Sequence, residues 1–160
     1  MKYAVSSIVE NGSIIGQGTT LGYFTHILSG SHIGVSCSIG DRVHIGHDVR
    51  IGDNVRIGNG SSITSGAIIG DGSVIGDNVC FSGLEARSQL NKRDFKGDMR
   101  TIVEAGVVVG SNATIVGNTT IKTGAKVADG AVVIGYVFAQ TFVGGNPARR
   151  IYSLSAMQHG

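Results

Sequence analysis

The chain has 160 residues, 41% of them hydrophobic and 15% charged, with a formal net charge of +2. That hydrophobic share excludes a disordered tail, and so mild a charge gives no case for nucleic acid or a membrane surface. The two cysteines, Cys37 and Cys80, match no zinc spacing and form no disulfide framework, so a reducing cytoplasm is expected.

The N-terminus has no long apolar run behind Lys2, so no signal peptide is expected there. Nor does any stretch approach the roughly 18 apolar residues of a membrane span. What begins at Tyr3 is a repeat. Counting in sixes gives Tyr3, Val9, Ile15, Leu21, Ile27, Ile33, Ile39, Ile45, Ile51, Ile57, Ile63, Ile69 and Ile75. The pattern breaks after Phe81 and resumes at Val103, Val109, Ile115, Ile121, Val127 and Val133. The interval from 81 to 103 is not a multiple of six, which predicts an inserted loop over residues 82–102.

Each hexad position has a physical reading. The first is large and aliphatic, hence core. The fifth is small or β-branched, as in Cys37, Val55 and Ala67, and shares the inward face. The second is usually Gly, and the fourth is mostly Gly, Asn or Asp, the residues that tolerate positive φ. A left-handed corner every six residues predicts an all-β, three-sided parallel β-helix. Three short strands make each 18-residue turn, and turns stack about 4.8 Å apart. Nineteen hexads predict about six turns in one domain, residues 1–151, followed by a short tail, residues 152–160.

A turn of 18 residues converts sequence distance into stacking. His26 lies directly below His44, followed by Ser62 and Cys80, in a column ending where the loop leaves. His32 and Arg50 form the equivalent pair on the next face, and His47 lies round the corner from His44. The remaining histidine is His159, and no set of imidazoles has metal-ligand spacing, so no metal is expected. His47 and His44 are candidate general bases, since imidazole takes a proton near neutral pH, and Asp48 is placed to orient the His47 ring. For each of these the alternative is an ordinary solvated side chain.

The segment from Leu84 to Arg100 has no repeat character and five basic residues, Arg87 among them, that suit phosphates; Glu85 within it is a further candidate base. The alternative is a solvated loop that packs against a neighbouring subunit. Lys122 and Lys126 follow at a late corner, and Gly144-Gly145-Asn146-Pro147-Ala148-Arg149-Arg150 ends the coil with two cations.

Those last residues resemble the Gly-Asn-Pro-Ala-Arg/Lys terminus of hexapeptide-repeat acetyltransferases. The stretches Ser7 to Gly12, Phe24-Thr25-His26-Ile27 and Val109 to Val116 are similar to bacterial nucleotide-amino-sugar N-acetyltransferases. His44-Ile45-Gly46-His47-Asp48 resembles the His-x-Ala-His-Asp stretch of lipid A acyltransferases, whose second His is the general base. These resemblances imply a left-handed coil, which periodicity does not reveal, and a homotrimer with sites in the grooves between subunits. They imply acetyl transfer from acetyl-CoA to an amino or hydroxyl group of a sugar in surface polysaccharide biosynthesis. The amino-sugar resemblance makes that sugar nucleotide-linked. His47, His44 or Glu85 would supply the base, and His26, Asp48 and Arg87 would meet the acceptor. Lys122, Lys126 and Arg149 would lie near CoA phosphates. One departure stands out: the chain reads Phe81-Ser82-Gly83 where the N-acetyltransferases carry Asn. The other readings are a metalloprotein similar to γ-class carbonic anhydrases, whose five-residue His spacing is missing here, and a non-catalytic solenoid scaffold.

Overall fold

The computed structural model describes residues 2–83 and 100–152. Every hexad contributes a strand formed by its first residue and the one before it, as in His26–Ile27 and His44–Ile45. These strands form three parallel sheets, one per side of the coil. The first sheet begins at Lys2–Tyr3 and Thr20–Leu21, the second at Ile8–Val9 and His26–Ile27, the third at Ile14–Ile15 and His32–Ile33. Pairing joins each residue to the one 18 positions on, for example His26 to His44 and His32 to Arg50. This is the parallel β-helix that the hexads predict.

The corners explain the fourth position. Asp48, Asn54, Asn78 and Asn112 have φ of 55°, 57°, 53° and 61°, in the left-handed region their side chains tolerate. Phe24, Ser36 and Arg42 occupy the same position with φ of 57°, 55° and 52°, so the coil imposes the corner even on residues that disfavour it. Inside, Ile27, Ile45 and Ile63 are fully buried, one above another, with Phe81 and then Ile115 continuing the column. Buried hydroxyls at the fifth position are satisfied by the coil itself. Thr25, Ser31 and Ser61 donate to the carbonyls of Gly40, Gly46 and Gly76, and each accepts the amide of the residue 18 further on.

Outside, a second ladder ties the corners together. The amides of Tyr23, Asp41 and Asn59 donate to side-chain oxygens of Asp41, Asn59 and Asp77, each one turn ahead. Across the insertion the step becomes 34 residues, from Asp77 to Ser111, instead of 18. The coil therefore takes up an extra 16 residues, the difference of those spacings, and the expected loop of 82–102 is too long. Ser82 and Gly83 still belong to a corner, Thr101 is an inward hydroxyl residue, and Ile102–Val103 is a strand.

The turn count also needs correcting, from about six to seven. Phe81 opens a hexad of its own. Beyond Val133, a corner shortened at Gly135 (φ 92°) throws the count out of phase before Tyr136–Val137 and Phe142–Gly144. Arg149–Arg150 then pairs antiparallel with that last strand and covers its edge.

At a late corner the Glu104 carboxylate takes the Lys122 ammonium and both the amide and hydroxyl of Thr123. The bond from Lys122, then that from the Thr123 amide, hold the Glu104 carboxyl below its ordinary range, while Glu104 pushes the Lys122 ammonium up.

Two outcomes follow from this packing. Ile63→Ala, in the core, should cost about 2–5 kcal/mol in denaturant unfolding, whereas Ile14→Ala, an exposed sixth-position residue, should stay within about 0.5 kcal/mol. A carboxyl with a lowered folded pKa stabilises the fold above its unfolded value, and that contribution vanishes as pH falls through the lowered value. Glu104→Gln should therefore flatten the loss of unfolding midpoint between neutral pH and about pH 3. An unchanged acid limb would remove Glu104 from that role.

Candidate active site

Where position two is Gly, the next turn leaves no room for a side chain. A Cβ added to Gly16 would lie 2.6 Å from the Val35 amide nitrogen, and one on Gly58 2.6 Å from Gly76 backbone. The corner after the second sheet differs. Its second positions are Glu10, Leu28, Gly46, Thr64, Ser82, Val116 and Ile134, so this edge carries side chains where the first-sheet edge is mostly glycine. The second sheet also bears the histidine column, continued by Ser62 and Cys80.

Glu10 organises this edge. Its Oε1 accepts a hydrogen bond from His26 Nε2 at 3.0 Å, and its Oε2 accepts the Ser29 amide at 3.0 Å. Ser29 Oγ lies 3.0 Å from His47 Nδ1. The His26 and His44 rings meet edge to face, centroids 5.7 Å apart and planes at 84°. The Ser29 amide first, then the His26 ring and the charges of His26 and His47, hold the Glu10 carboxyl below its ordinary range. His47 is anchored through its own amide, which donates to Ser65 Oγ at 3.0 Å. Its imidazole is exposed, as is that of His44.

The expected column of His26, His44, Ser62 and Cys80 is thus present, and His47 joins it through Ser29. Asp48 sits differently. Its Oδ1 lies over Gly30, in the space a Cβ there would need, and its amide donates to the Ser29 carbonyl. Among the described residues the side chain bonded to the His47 ring is that of Ser29. Sequence reasoning missed both Glu10 and Ser29. The signal was there: Glu10 breaks the glycine rule of position two, and Ser29 stands 18 residues before His47.

His32 lies on the third sheet, its Nδ1 donating to the Gly30 carbonyl at 3.2 Å. The cations of the late turns divide between two sheets. Lys122 is engaged by Glu104 at the third-sheet corner. Lys126 is exposed on the first sheet beside Thr141 and Phe142, and Arg149 lies on the closing strand of the same sheet. Arg149 and Arg150 line a cleft of about 160 Å³ with Tyr136 and Phe138, whose rings meet at 5.0 Å. Glu85, Arg87 and His159 lie outside the described residues. Among the described residues, no group of three His, Cys, Asp or Glu is arranged to hold a metal ion, and no helix is long and apolar enough to cross a membrane.

Among the described residues, a Cβ at Gly83 would meet only Thr64 Oγ1, at an ordinary 3.6 Å.

Residues 30–65 and 48–83 match the bacterial transferase hexapeptide (six repeats) family. No curated protein matches the sequence. Among solved structures, the chain is similar to the acetyltransferase domain of PglB from Neisseria gonorrhoeae FA1090 at 20% identity and a TM-score of 0.62. It is also similar to a point mutant of perosamine N-acetyltransferase from Caulobacter crescentus, in complex with CoA and GDP-perosamine, at 19% identity and 0.61. These alignments cover 93% and 96% of this chain but only 56% and 58% of those two. The hexapeptide-repeat acetyltransferase VCA0836 from Vibrio cholerae O1 biovar eltor, complexed with acetyl coenzyme A, is 26% identical with a TM-score of 0.54, over 89% of this chain and 71% of that one. The chain folds as a left-handed parallel β-helix, and residues 30–83 within it carry the repeat of the bacterial transferase hexapeptide model.

Proposed function

We propose that this protein is an acetyl-CoA-dependent acetyltransferase acting on an amino or hydroxyl group of a sugar, nucleotide-linked, in surface polysaccharide biosynthesis. The observation that carries the reading is an exposed imidazole, His47, supported through its Nδ1 by Ser29 on a side-chain-rich edge of the coil. Acetyl-CoA binding by the Vibrio cholerae structure and nucleotide-sugar binding by the perosamine enzyme support the choice of substrates.

Bound acetyl-CoA would supply an activated acetyl group as its thioester. His47 removes the proton from the attacking amine or hydroxyl, and the same ring returns that proton to the departing thiolate. His44 and His26, stacked beside it, line the approach of the acceptor. The exposed cations Lys126 and Arg149, with Tyr136 and Phe138 beside Arg149, have the chemistry to hold a phosphorylated nucleotide. Residues 1–151 act as one domain, and three 16.5 kDa chains assemble side by side in the cytoplasm.

Thermal-shift titration with acetyl-CoA, CoA and zinc, then a thiol-release assay with nucleotide amino sugars, tests the reading. Stabilisation by acetyl-CoA is expected, together with a loss of turnover of about 10²- to 10⁴-fold in His47→Ala. His26→Ala should lose less. If no form of CoA stabilises the protein, the acetyltransferase reading is wrong; stabilisation by zinc instead would point to a metalloprotein.

A further inference from the structure

We propose that Glu10 and Ser29 are positioning residues that fix the tautomer of His47, keeping its proton on Nδ1 and leaving Nε2 as the basic nitrogen. The inference rests on the acyl-transfer reading for its catalytic meaning, but its geometry stands by itself.

A serine hydroxyl 3.0 Å from a neutral imidazole nitrogen either donates to it or accepts from it. The surroundings choose. Glu10 takes the Ser29 amide on one oxygen and His26 on the other, which places an anionic carboxylate beneath Ser29. The negative charge favours dipoles whose hydrogens point toward it, so that His47 Nδ1–H donates to Ser29 Oγ and the hydroxyl hydrogen is left to turn toward the acid. Accepting also suits both states of the ring. Once Nε2 has taken a proton, Nδ1 is a donor in any case, so an accepting Ser29 needs no reorganisation during the transfer. A donating Ser29 would block that step, because Nε2 would already carry the proton.

Coupling between Glu10 and His47 is also electrostatic, since the charge of His47 contributes to lowering the Glu10 carboxyl. His26 is the second member of the support, held at 3.0 Å on the far oxygen of the same acid.

Long-range proton–nitrogen spectra of the histidine rings, taken at neutral pH, read the tautomer without reference to activity. In the wild-type chain His47 should show the Nδ1–H pattern. Ser29→Ala should move it toward Nε2–H, Ser29→Thr should restore it, and Glu10→Gln should lower the Nδ1–H population. In parallel, kcat should fall about 10- to 100-fold in Ser29→Ala and recover in Ser29→Thr, with KM for acetyl-CoA unchanged. An Nε2–H ring in the wild type, or a spectrum indifferent to Ser29→Ala, overturns the assignment. A wild-type chain with the Nδ1–H ring and its Ser29 dependence, yet no turnover, keeps the assignment and defeats the acyl-transfer reading.

Discussion

Nearly every feature of this molecule depends on one backbone bond, made again at each strand. The amide of a residue donates to the carbonyl 17 positions on, as from Ile8 to Thr25, from Glu10 to Ile27 and from His26 to Val43. This bond sets the stacking of one turn on the next and so decides which side chains become neighbours. Each net hydrogen bond is worth only about 1 kcal/mol, but the ladder fixes the register in which the isoleucines meet. A shift of one residue would send the inward column outward.

The same rule builds the candidate site. Column membership brings His26 against His44, and the corner brings His47 level with Ser29 one turn below. No long-range folding event is needed to assemble these groups, since each lies within one turn of another. The site therefore has the rigidity of the coil for its supports, while the imidazoles of His44 and His47 stay exposed on the outer surface. That combination suits a group that must meet a large acceptor without moving itself.

How much of this was legible follows from what each position must do. The first and fourth positions are constrained at every turn, by burial and by positive φ, so period, topology and the histidine column could be counted off. Val137 and Val143 escaped because Gly135 shortens one corner and the count of six fails there. The loop was overdrawn because only first positions anchored the count, although Thr101 and Ile102 already fit the fifth and sixth. Glu10 was missed for a geometric reason. The column argument follows position six, whereas the carboxylate reaches His26 from position two of the turn below.

What Glu10 does there follows from the outer ladder. Elsewhere on the corners, a side chain one turn ahead takes the amide: Asp41 takes that of Tyr23, Asp53 that of Val35, and Ser65 that of His47. For the Ser29 amide the residue one turn ahead is His47, whose ring meets the serine hydroxyl instead. The amide must find another acceptor, and Glu10 supplies it from behind. Glu104 does the same for Thr123, where the shortened corner makes the step 16 and Ala139, with no side-chain acceptor, stands one turn ahead. Both glutamates therefore complete the ladder at a place where the side chain one turn ahead does not take the amide. At Thr123 the acid also holds a lysine; at Ser29 it holds a histidine and faces a second one. A structural substitution has thereby placed a carboxylate among imidazoles, and that charge is the part of the site that the backbone alone could not have provided.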